Sequence, residues 1–176
     1  MRSPFDILGV EPRFDLDLAA LERRFRELSK LHHPDRGAAG RTPAERRESL
    51  GKAMDLNEAY RTLRDDLTRA RAVLAAQGVE VTGEERADDP GFLLEVMELR
   101  EGLGEARERA DLATVRRLAA EVRAAYEAAR AALSIALERR DHADARRALG
   151  RMRYYRRFLD EVDVIEEESA ERSPQS

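Results

Sequence analysis

Run after run of this sequence places its apolar residues three or four positions apart, a period that commits the chain to helices. In the clearest run, Leu18, Leu21, Phe25, Leu28 and His32 share one face of a helix predicted from about Asp17 to His33. Arg23, Arg24, Arg26 and Lys30 crowd the rest of its surface. Pro34 has no backbone N–H and restricts the residue before it, so that helix is expected to stop near His33. His33-Pro34-Asp35 therefore forms a stiff corner beside a positive surface, an arrangement suited to docking.

The other runs follow the same rule. Ser3 or Pro4 opens a short helix carrying Phe5 and Leu8, closed by Gly9. The stretch from Gly37 to Thr42 reads as a loop. Thr42, Pro43 and Glu45 then supply an N-cap, a first-turn proline and a capping-box glutamate. A third helix follows through Leu50, Ala53, Met54, Leu56, Tyr60 and Leu63. After Asp65-Asp66 comes a short stripe of Leu67, Ala70 and Leu74, interrupted by charge at Arg69 and Arg71 and ended at Gln77-Gly78. Val79 to Asp89 is a charged linker, and Asp89-Pro90 starts a band of Leu93, Val96, Met97, Leu99 and Leu103. Two longer runs follow: Val115, Leu118, Val122, Tyr126, Ala129, Leu133 and Leu137, then Ala145, Ala148, Met152, Tyr155, Leu159 and Val162, with Asp141 as a cap between them. The predicted class is all-α. Three alanine-rich helices favour a small antiparallel bundle; Gly102, Gly104 and Gly150 weigh against a long coiled coil.

Composition narrows what such a chain can do. Of its 176 residues 39% are charged and 5% aromatic, with a mean hydropathy of −0.65, which suits narrow apolar seams between helices. The net charge of −4 gives no global case for binding nucleic acid. With no cysteine there is no disulfide, thiolate chemistry or cysteine-held zinc or cluster. Neither a signal peptide nor a transmembrane-length run is present, so a cytoplasmic, membrane-free location is expected. His32, His33 and Asp35 make a weak metal set, so no metal site is expected. Gly37-Ala38-Ala39-Gly40 lacks the Lys-Ser/Thr that completes a phosphate loop, and Ser29 has no companion catalytic group. An enzyme is not expected.

The residues Pro4-Phe5-Asp6-Ile7-Leu8-Gly9-Val10, Phe25-Arg26-Glu27-Leu28-Ser29-Lys30, His32-His33-Pro34-Asp35 and Leu56-Asn57-Glu58-Ala59-Tyr60-Arg61-Thr62-Leu63 occur in the order of a J-domain. The first part of the chain resembles that module, by which co-chaperones act on DnaK-type ATPases. Leu67-Thr68-Arg69-Ala70, the block Asp89 to Glu101, and Met152-Arg153-Tyr154-Tyr155 make nearly the whole chain resemble the HscB family of iron–sulfur cluster assembly.

The resemblance implies an N-terminal J-domain with its helical hairpin at 1–66, a short helix and linker at 67–88, a C-terminal antiparallel three-helix scaffold-binding domain at 89–168, and a disordered tail at 169–176. It implies two partners, an HscA/DnaK-type chaperone ATPase and an IscU-type scaffold protein. No cofactor is implied, because the cluster belongs to the scaffold. His33, Pro34 and Asp35, with Arg23, Arg24, Arg26 and Lys30, match the ATPase-docking region; Leu93, Leu94, Met97, Glu98, Glu101, Glu105 and Tyr154 match the scaffold-facing set. Arg36 stands where the family's loop carries lysine, and the cysteine-based metal module of some relatives is missing. The alternatives are a J-domain adaptor for another client and a structural coiled-coil protein.

Overall fold

The computed structural model describes residues 2–32, 42–80 and 89–172. Among them lie seven helices: α1 (Pro4–Leu8), α2 (Leu18–His32), α3 (Pro43–Arg64), α4 (Asp66–Ala76), α5 (Pro90–Glu108), α6 (Leu112–Glu138) and α7 (His142–Arg172). The all-α expectation holds. The chain divides into two compact units, Met1–Val81 and Thr82–Ser176.

Local chemistry sets most helix starts in the first unit. The Ser3 hydroxyl accepts from the Asp6 N–H at 3.1 Å, and the Asp6 carboxylate accepts from the Ser3 N–H at 3.1 Å, a reciprocal capping box. That hydroxyl also donates to the carboxylate, and these bonds hold Asp6 below the usual carboxylate range. Gly9 closes α1 at φ 65°, a left-handed conformation that a side chain would strain. Asp17 accepts from the Ala19 and Ala20 N–H groups to start α2, and Thr42 with Glu45 starts α3. Phe5, Leu8, Phe14, Leu21, Leu56, Ala59 and Leu63 bury themselves between α1, α2 and α3. Phe25 and Tyr60 stack with ring centres 4.2 Å apart, pinning the middle of the α2–α3 pair.

Here the structure corrects the sequence. Arg69, expected to interrupt the α4 stripe, is only 1% exposed. Its Nε donates to the Phe14 carbonyl at 2.8 Å, its Nη1 to the carbonyls of Leu63 (2.7 Å) and Arg64 (3.2 Å), and its Nη2 to Asp66 at 3.3 Å. The guanidinium also lies 4.9 Å from the centre of the Phe14 ring. One side chain thus satisfies carbonyls at the C-terminus of α3 and in the segment before α2. Ala70, Val73 and Leu74 are buried beside it. The short helix therefore packs as part of the first compact unit, Met1–Val81.

The second unit is a three-helix bundle. Asp89, Asp111 and Asp141 cap α5, α6 and α7, accepting from the N–H groups of Gly91 (3.0 Å), Thr114 (3.1 Å) and Asp144 (3.0 Å). All seven α6 residues predicted to face inward are buried, as are the α7 residues Ala145, Ala148, Met152, Tyr155 and Val162. Ion pairs Arg116–Glu166 and Arg107–Glu168 tie α7 to α6 and α5 near the end of the chain. The helix continues through Arg172, taking in positions 169–172 that were expected in the tail. Ile165 is buried there, and the Ser169 hydroxyl donates to its carbonyl at 2.8 Å.

Two turns in this unit are built alike. Ala110 (φ 52°) and Arg140 (φ 55°) take the left-handed conformation where α5 and α6 end. The following residues, Asp111 and Asp141, return their N–H groups to the Ala106 and Ala136 carbonyls. A side chain is strained at such a φ by about 1–2 kcal/mol, part of which glycine's larger chain entropy takes back. Ala110→Gly is expected to raise the unfolding free energy of this unit by about 0.5–1 kcal/mol. Urea denaturation followed by circular dichroism checks it; an unchanged or lower midpoint at constant slope would show that the turn carries no strain.

Candidate partner-binding surfaces

On α2 the apolar and basic residues separate onto opposite faces. Leu21 is buried, and Phe25 and Leu28 are half-buried against the unit; Arg23, Arg26 and Lys30, at spacings of three and four, are exposed. Arg26 pairs with Glu22 at 2.5 Å, four residues away on an open surface. Such pairs are worth only about 0.3–0.5 kcal/mol, so a partner carboxylate can displace the glutamate cheaply. Arg24 lies on a different side. Its Nε donates to the Leu8 carbonyl at 3.3 Å and its Nη1 meets Glu27 at 3.5 Å, so part of its work is closing α1. His33, Pro34 and Asp35 lie outside the described residues, as do Arg36 and positions 37–41.

A second surface lies on α5. Phe92, Leu103 and Ala106 supply its buried side. Leu93 and Met97, from the predicted apolar band, and Leu94 beside them are 53%, 67% and 58% exposed. Three large apolar side chains more than half in water on adjacent turns are not core residues. Glu98, Glu101 and Glu105 are exposed along the same arc, with Glu105 paired to Arg109 at 3.2 Å. At 100° per residue these six positions fall within less than half the circumference of the helix. The result is an apolar strip with a carboxylate edge.

Tyr154 borders this strip from α7. It is half-buried; its hydroxyl donates to the Val96 carbonyl at 3.1 Å, and its ring meets Phe92 edge-on at 5.7 Å. Tyr155 is buried, and its hydroxyl donates to Glu95 at 2.8 Å. Tyr155 is thus packed, and Tyr154, though partly exposed, is itself anchored. Burial raises both phenol pKa values, and for Tyr155 the bond to Glu95 pushes the same way. Both hydroxyls stay protonated at neutral pH and hold α5 against α7 as donors. Arg100, which the sequence did not single out, places its guanidinium 6.0 Å from the Tyr154 ring centre. Its position three residues beyond Met97 was the available signal.

Among the described residues there is no cluster of three or more His, Cys, Asp and Glu side chains arranged to hold a metal ion, and no helix long and apolar enough to cross a membrane.

A helical pair with a basic outer face, joined to a separate bundle with an exposed apolar strip, is the layout of a J-domain adaptor. Comparison with known proteins agrees. Residues 3–71 match the DnaJ domain model, and residues 88–163 match that of the HSCB C-terminal oligomerisation domain. The chain is 43% identical over 143 residues to the co-chaperone protein HscB homolog of Bordetella petrii, covering 80% of this chain and 82% of that protein. It is 32% identical over 165 residues to the homolog from Vibrio vulnificus, covering 93% and 96%. Chaperone HscB from Vibrio cholerae superposes with a TM-score of 0.84 at 31% identity, covering 96% of this chain and 99% of that one. Human co-chaperone protein HscB gives 0.84 at 29% identity, covering 94% and 83%. The chain belongs to the HscB family of J-domain co-chaperones. It stimulates an HscA-type chaperone ATPase and brings it the IscU-type scaffold, and it is not itself an enzyme.

Proposed function

We propose that the two surfaces divide this work, α2 with the residues that follow it meeting the ATPase and α5 meeting the scaffold. The observation that carries this reading is the exposure of Leu93, Leu94 and Met97 on one face of a bundle whose core is filled by other residues. An apolar centre edged by Glu98, Glu101 and Glu105 has the anatomy of a protein-binding patch. Tyr154 supports it as a wall, keeping α5 in place and offering a ring edge. On the other unit, Arg23, Arg26 and Lys30 draw in an acidic surface of the ATPase, Arg24 contributes while anchoring α1, and the His33-Pro34-Asp35 corner delivers the stimulating contact. Asp35 acts there by entering the partner's ion-pair or hydrogen-bond network. Because the partner consumes ATP, we place the pair in the cytoplasm.

Steady-state ATP hydrolysis by the HscA-type chaperone tests the division. The chain should raise the rate, added scaffold should raise it further, and Asp35→Asn should return it to basal. Stimulation indifferent to scaffold would assign the bundle to another client. An Asp35→Asn variant as active as the parent would overturn the role of the corner.

A further inference from the structure

Between α5 and α6 runs a cleft of about 330 Å³. Leu99, Leu118 and Val122 line its floor, and Glu95, Glu98 and Glu121 stand around it. One turn past Glu98 the two helices meet where Gly102 faces Leu118; a Cβ on that glycine would stand 3.6 Å from Leu118 Cδ1. Glu98 belongs both to the cleft and to the α5 face, so the cleft is a side branch of the apolar strip.

We propose that this cleft receives one lysine or arginine side chain of the scaffold. The inference rests on the reading of α5 as the scaffold face, and it names chemistry that the strip alone does not. A wholly apolar insert would strip water from three carboxylates without replacing it, and an anionic one would be repelled. A long cationic side chain suits both parts: its methylene stem covers the leucine and valine floor, and its head stays at the wet rim among the carboxylates. The three acids are not equivalent. Glu95 is engaged by the Tyr155 hydroxyl at 2.8 Å. Glu121 is held by Arg117 at 2.7 Å across an open surface, with both side chains more than half exposed, and can exchange that partner for an incoming one. The cleft therefore sets which side of the strip the scaffold's basic residue must occupy, a specificity contact contributed by α6.

Titration calorimetry of the full chain with purified IscU-type scaffold tests this, using Glu121→Gln, Glu121→Lys and Leu94→Ala. Position 121 is on the surface, and matching circular dichroism spectra and unfolding midpoints establish that each variant is folded. Glu121→Gln is expected to weaken binding three- to tenfold and flatten its dependence on salt; Glu121→Lys should weaken it more than thirtyfold. If Glu121→Lys binds like the parent while Leu94→Ala does not, the cleft is empty in the complex and the proposal is overturned. If neither change alters binding, the α5 reading itself fails and the cleft proposal falls with it.

Discussion

Arg69→Met should destabilise the N-terminal unit by about 3–5 kcal/mol, a large share of the roughly 5–15 kcal/mol that holds a domain of ordinary stability. Methionine fills comparable apolar volume, so the loss comes from what the guanidinium satisfies. The Leu63 and Arg64 carbonyls would lose their Arg69 donor, each orphaned acceptor costing about 1–3 kcal/mol, and the Phe14 carbonyl would keep only the Leu16 N–H. The contact with the Phe14 ring is lost as well. Arg69→Lys should recover only part, because one ammonium cannot reproduce a planar fork aimed at separate carbonyls. Amide hydrogen exchange of the full chain is the right measurement, since it reads each unit separately. Protection should fall in α1–α4 by an amount matching that loss and persist unchanged in α5–α7. Undiminished protection in α1–α4 would mean that the apolar contacts of α4 hold the unit without Arg69. A fragment ending at residue 66 lacks this side chain altogether and should behave like the variant.

The second large effect concerns binding with folding left intact. Leu94→Ala and Met97→Ala remove side chains that are more than half exposed, and alanine is the better helix former. The unfolding free energy should therefore change by no more than about 0.5 kcal/mol. Scaffold affinity should respond far more. Central apolar anchors of an interface cost about 2 kcal/mol or more on truncation, over tenfold in affinity each. The double variant is expected to bind at least a hundredfold more weakly, with some departure from additivity because the two residues are neighbours. Met97→Leu, which keeps apolar volume, should bind nearly as the parent does. Full affinity in the folded double variant would move the scaffold to another face of the bundle.

Sequence exposed most of the helix boundaries because their chemistry is local. Ser3, Thr42 with Glu45, Asp89 and Asp141 each stand at the expected start, within three residues of the N–H groups they serve. Asp111 was missed: the turn before it contains neither glycine nor proline, and Ala110 enters the left-handed region without a residue that announces it. Arg69 was misread because periodicity registers a charge as a break in the stripe. Its decisive acceptor, the Phe14 carbonyl, lies 55 residues earlier. The α5 band illustrates a third limit. Leu93, Val96, Met97, Leu99 and Leu103 look alike in sequence, and only packing sorts them: Leu103 goes inside, Val96 and Leu99 sit half-covered, and Leu93 and Met97 remain in water. Likeness to relatives grouped Leu93, Leu94 and Met97 as one face, a grouping that periodicity could not supply. The same limit hid the cleft, which needs two helices side by side before Glu121 and Glu98 share a rim.

Asp65 both ends α3 and caps α4, accepting from the Thr68 N–H at 3.0 Å with no intervening residue. The joint therefore has no slack in length. One residue inserted between Asp65 and Arg69 would turn the rest of α4 by about 100° and swing the guanidinium away from its acceptors. Across homologous chains, insertions and deletions should accumulate on either side of this joint but not within it. The four-residue spacing from the capping aspartate to the arginine becomes a fixed ruler, by which a sequence with this way of closing its first unit can be told from one that merely carries similar helices.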